Sequence, residues 1–176
     1  MELYTFSPEV LFYWLVAFSV YEWVSISVIL AFSRNRLVTP EEYYRKLPSW
    51  VAVSGDFIYT TAIFLTAQLL FKWVGPIAIR YTVPKLVAFI LLVIAVQWIY
   101  DLTFAQTILA LPSNFSQYVS YFQRYIKEVN IGAAISDSIW MVGWLLVTIF
   151  MMKYVPLHIA TLILVLSLFS WLVVKW

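Results

Sequence analysis

The chain has 176 residues, of which 64% are hydrophobic and 11% charged, with a net charge of +2 and a mean hydropathy of +0.89. A soluble domain of this size has too much surface for its volume to hide that much apolar matter, so the composition points to a bilayer as solvent. The charge is too small to indicate nucleic acid as a partner, and the lack of cysteine excludes disulfides, thiolate metal sites and thiol nucleophiles.

The elements read in chain order as an all-α, polytopic transmembrane helix bundle forming one domain over 1–176. It has about five spans and one amphipathic interfacial helix. Ser7-Pro8 has the form of a helix cap followed by a first-turn proline, and opens a span over 9–32. No basic residue precedes this run, so it reads as a retained span and not as a cleaved signal peptide. In the polar loop that follows, Thr39-Pro40-Glu41-Glu42 resembles a capping box and predicts a short surface helix from Pro40 to Lys46. Pro48 and Trp50 open a span over 50–71. Lys72, Trp73, Gly75, Pro76 and Arg80 then read as an interfacial connection, and Pro84-Lys85 opens a span over 85–111.

Residues 113–129 differ. Phe115, Tyr118, Val119, Phe122, Ile126 and Val129 recur at helical spacing, while Ser116, Gln117, Ser120, Gln123, Arg124, Lys127 and Glu128 fill the other face. That pattern predicts a helix lying along the membrane surface. Two more spans follow over 131–152 and 157–174, joined by a turn at Lys153-Tyr154-Val155-Pro156; a re-entrant pair is the alternative for these two. Five spans place Arg34, Arg36, Arg45, Lys46, Arg124, Lys127 and Lys175 on one side, and Lys72, Arg80, Lys85 and Lys153 on the other. The richer side is expected to be cytoplasmic, which puts the N-terminus outside and the C-terminus inside.

Four acids lie within apolar spans, namely Glu22, Asp56, Asp101 and Asp137, and none has a basic residue in its own span. An ionised carboxylate there costs at least ~2.5 kcal/mol. Counted from the helix ends, all four fall roughly 9–15 Å from the same membrane face. Ser19 and Ser25 share a face with Glu22, Thr60 with Asp56, and Gln97 with Asp101; Ser54 flanks Asp56, and Ser136 and Ser138 flank Asp137. The expectation is a polar layer inside the bundle in which the acids and Gln97 bind protons or a cation, supported by these hydroxyls. No cofactor is evident beyond a cation at that cluster. The bilayer is the expected partner, with further copies or other membrane subunits as candidates, and no nucleic acid. A non-catalytic structural or assembly subunit of a larger membrane complex is the alternative, the acids then fixing helix register. The single histidine, His158, sits near a helix start, and without cysteine or a second histidine no catalytic signature is present.

Two stretches carry a resemblance: Tyr121-Phe122-Gln123-Arg124-Tyr125-Ile126-Lys127-Glu128-Val129 with Asp137-Ser138, and Tyr100-Asp101-Leu102-Thr103-Phe104. They resemble uncharacterised multi-spanning membrane proteins of large DNA viruses. The resemblance implies a virion or host internal membrane and no known activity.

Overall fold

The computed structural model describes residues 2–32, 42, 49–78 and 82–173. Among them are six helices and no strand: α1 (Pro8–Phe32), α2 (Ser49–Ala78), α3 (Thr82–Ala110), α4 (Gln117–Val129), α5 (Ile131–Tyr154) and α6 (Leu157–Val173). Four of them (α1, α2, α3 and α5) are long and apolar enough to cross a membrane, while α6 is a shorter apolar helix. The surface-helix expectation for 40–46 lies outside the described residues, apart from helical Glu42.

Local chemistry sets most boundaries. The Ser7 hydroxyl accepts from the Val10 amide at 3.2 Å and caps α1. Ser116 caps α4 in the same way, accepting from Val119 at 3.2 Å, so the amphipathic helix starts at Gln117 and 113–116 form its entry turn. Between α4 and α5 stands Asn130, the one non-glycine residue at positive φ among the described residues, at φ 52° and ψ −136°. There the chain turns from the amphipathic helix into the apolar one.

The boundaries on either side of the α2–α3 connection also differ from the sequence expectation, and α5 runs on to Tyr154. α2 continues to Ala78 instead of ending near Phe71, and so takes in Lys72, Trp73, Gly75 and Pro76. Pro76 cannot donate to the Lys72 carbonyl one turn back, and the helix runs only two residues beyond it. α3 begins at Thr82, with Pro84 in its first turn, where a missing N–H is harmless.

α2 packs on α3, α1 packs on both α5 and α6, α3 packs on α5, and α4 lies against α3 and α5. The centre is aromatic. Trp14 of α1 is sandwiched between Phe64 of α2 (ring centroids 4.0 Å apart) and Trp144 of α5 (3.9 Å). Its indole N–H donates to Thr61 Oγ1 at 3.1 Å, and the Trp144 indole donates to the Trp14 carbonyl at 3.1 Å. Both polar handles in the stack are thereby satisfied without water. Tyr13 donates to the Val155 carbonyl at 2.7 Å and pins the α5–α6 turn to α1. Gly143 allows α1 close to α5: a Cβ there would meet the Tyr21 hydroxyl and lie 2.7 Å from Tyr21 Cζ.

The outside of the bundle carries many large apolar side chains. Ile58, Leu69, Leu91, Ile99, Leu102, Ile139, Leu146, Phe150, Leu162 and Phe169 are all more than half exposed. Soluble monomers do not carry patches of this kind.

Candidate carboxylate site

Contacts between helices put the four acids at a common level. Phe18 of α1 meets Phe57 of α2 and Trp144 of α5, and Tyr21 meets Trp140. Glu22, Asp56 and Asp137 each follow or precede one of these anchors by no more than about a turn. Asp101 joins the same level through Tyr59 of α2, whose hydroxyl donates to Asp101 Oδ1 at 2.8 Å.

Asp101 is the hub of a hydrogen-bonded set. Gln97, one turn earlier on α3 and only 1% exposed, donates through Nε2 to Asp101 Oδ2. The same Nε2 also reaches the Ala134 carbonyl on α5 at 3.3 Å. The Ser138 hydroxyl has one proton to give and two acceptors in reach, Gln97 Oε1 at 2.7 Å and the Ala134 carbonyl at 2.8 Å. Ser138 in turn accepts from the Trp98 indole at 2.9 Å. Read by donor, the set runs Trp98 to Ser138 to Gln97 to Asp101, with Tyr59 donating from the other side. It joins α2, α3 and α5 through side chains alone.

Asp56 and Asp137 stand around this hub. Both are within electrostatic reach of each other, and Asp101 is within reach of Asp137. Asp101 and Asp56 are half-buried. Asp137 is exposed on α5, with the Asp101 and Asp56 carboxylates near enough to bear on its charge. α4 lies against α3 and α5, with Tyr121 and Tyr125 stacked at 6.1 Å. Burial, and after it the carboxylates of Asp137, Asp101 and Asp56, push the Tyr125 phenol up to about 12. Burial raises the Tyr121 phenol too, with Tyr125 and then Asp56 as the nearest contributing charges. Gln123 holds α4 in place by donating to the last carbonyls of α3, Ile108 at 2.9 Å and Leu111 at 2.7 Å. Arg124 forms an ion pair with Glu42 at 2.8 Å on the solvent side.

The remaining sequence candidates are placed differently. Glu22 is buried, at 7% exposure, on α1 beside Tyr21, whereas the carboxylates bearing on Asp137 are Asp101 and Asp56. Ser19 donates to the Val16 carbonyl of its own helix, and Thr60 to the Asp56 and Phe57 carbonyls of its own helix. Hydroxyls in apolar helices often fold back in this way. Ser25 is half-buried, and Ser54 and Ser136 are exposed. Ser138 bridges helices, reaching from α5 to Gln97 on α3. Tyr59, Trp98 and Tyr125 belong to the site and were not among the sequence candidates. Tyr59 lies three residues after Asp56 and Trp98 next to Gln97, so adjacency to a buried polar residue was the available signal.

Among the described residues no three acidic or histidine side chains are grouped closely enough to hold a metal ion. Comparison with known protein families, curated proteins and solved structures finds no match. These comparisons neither carry nor oppose the resemblance to viral membrane proteins.

Proposed function

We propose that the protein is an integral membrane protein of about five crossings that binds protons at the Asp56–Asp101–Asp137 group and passes them across the bilayer. The observation that carries this reading is Asp101. It is the one carboxylate of α3, accepting hydrogen bonds from Tyr59 of α2 and from Gln97 of its own helix, with Asp137 in electrostatic reach and Asp56 in turn within reach of Asp137. Unneutralised charges at such a place are expensive, and acids that stand together in apolar helices commonly mark proton paths. Their protonation is coupled, because each charge changes the free energy of the next.

The membrane reading is supported by four long apolar helices and by the apolar exterior. The 17 residues of α6 would span ~26 Å at 1.5 Å per residue, close to the hydrocarbon thickness of a thin bilayer. The α4 side is assigned to the cytoplasm from the Lys and Arg distribution, and protons reach Asp137 from that side, where it is exposed. Beyond the site the Trp14 stack fills the bundle, so onward transfer requires that stack to part.

Proteoliposomes loaded with a pH-sensitive dye test the proposal. The wild type should dissipate an imposed pH gradient, and Asp101→Asn and Asp137→Asn should each remove most of that flux. If wild type and variants are equally inert, the transport reading fails. The assembly-subunit reading gains support from α6, which packs on α1 and leaves Leu162, Val165, Leu166 and Phe169 exposed. A stoichiometric partner retained from a native membrane would favour it.

A further inference from the structure

At the end of the bundle opposite the carboxylates is a cavity of about 370 Å³, lined by Tyr4, Thr5, Gln68, Phe71, Lys72 and Lys85 among others. That volume suits a small ligand or a headgroup. Gln68 is 1% exposed. Its Nε2 donates to the carbonyls of Leu3 at 2.9 Å and Thr5 at 3.2 Å, which fixes which end of the amide is oxygen. Its Oε1 is buried with no hydrogen-bond partner among the described residues. A buried acceptor left in that state is costly, so the site calls for a donor. Lys72 and Lys85 add two cations, and neither pairs with a carboxylate among the described residues. Phe71 supplies an apolar wall, and Leu69 and Leu70 continue it outward as exposed surface.

We propose that this cavity binds an anionic glycerophospholipid with a hydroxylated headgroup. The phosphate diester sits between the Lys72 and Lys85 ammonium groups, a headgroup hydroxyl donates to Gln68 Oε1, and the acyl chains leave along Phe71 and Leu69. Basic pockets between apolar helices favour such headgroups. A choline headgroup is the natural counter-example, since it has no donor for Gln68 and leaves the lipid without net charge. The inference rests on the membrane location and is independent of proton binding, because the two sites lie at opposite ends of the bundle.

Native mass spectrometry of the full chain, released from micelles containing phosphatidylglycerol or phosphatidylcholine with matched acyl chains, tests it. One phosphatidylglycerol should be retained at least about tenfold more than phosphatidylcholine, equivalent to ~1.4 kcal/mol. The double variant Lys72→Gln/Lys85→Gln should lose that preference, while Lys153→Gln, an exposed cation away from the cavity, keeps it. Equal retention of the two lipids by the wild type overturns the proposal whether or not the double variant folds. So does a folded double variant that binds as the wild type does. Displacement of the lipid by an equal concentration of glycerol phosphate would assign the site to soluble phosphates instead and overturn the lipid reading.

Discussion

Asp101 depends on two neighbouring donors, Tyr59 of α2 and Gln97 of its own helix. Replacing Tyr59 with Phe removes one of them and leaves a half-buried carboxylate oxygen short of a donor. We expect Tyr59→Phe to lower stability by roughly 1–3 kcal/mol in detergent unfolding, without changing helix content in the native state. Asn130 offers the opposite experiment. At φ 52° its side chain is a liability that glycine does not share, so Asn130→Gly should be more stable by about 1 kcal/mol and Asn130→Val clearly less stable, both read from unfolding midpoints. Gly143 is constrained by its neighbour, since a methyl group there displaces the Tyr21 ring. Gly143→Ala should therefore weaken the α1–α5 contact by about 1–3 kcal/mol.

At the scale of elements, α4 is the part that carries polar chemistry on one side and apolar packing on the other. Its anchor is Gln123, bonded to two carbonyls at the end of α3. Gln123→Leu should speed amide hydrogen exchange across 117–129 while leaving α2 and α3 protected, at a cost of about 1–2 kcal/mol. The Tyr125 phenol adds a pH dependence of known sign. Its value rises from 10.0 when free to about 12 in the fold, so its contribution is fully present below pH 10 and lost as pH climbs through about 12. Thermal unfolding across that range should show the loss, and Tyr125→Phe should flatten it. The helices themselves were legible in the sequence because apolar runs, Ser-Pro starts and the amphipathic pattern of 113–129 are local signals. The end of α2 was not, since Gly75-Pro76 reads as a breaker and nothing local shows that the helix continues through it to Ala78. Among the site residues, the level of the acids could be counted along each helix. The lateral arrangement could not: nothing local distinguishes Glu22, beside Tyr21 on α1, from Asp56, or tells that Thr60 folds back on its own helix while Ser138 reaches across.

For the whole molecule, the apolar exterior and the polar layer under α4 together define an object with two different ends. One holds the carboxylates, α4 and its tyrosines. The other holds the N-terminal segment, Lys72 and Lys85. The natural chain has no cysteine, so single cysteines report on sidedness without background. Phe6→Cys and Ser113→Cys, both at exposed positions, should react with a membrane-impermeant maleimide from opposite faces. The central claim is that the three aspartates form one coupled proton-binding group, and infrared difference spectroscopy of the carboxyl band during a pH titration tests it most directly. If the group is coupled, Asp101→Asn shifts the titration of Asp137 and Asp56, and Asp137→Asn shifts that of Asp101. If each remaining carboxyl titrates as it does in the wild type, the acids are independent and the proposed site does not exist.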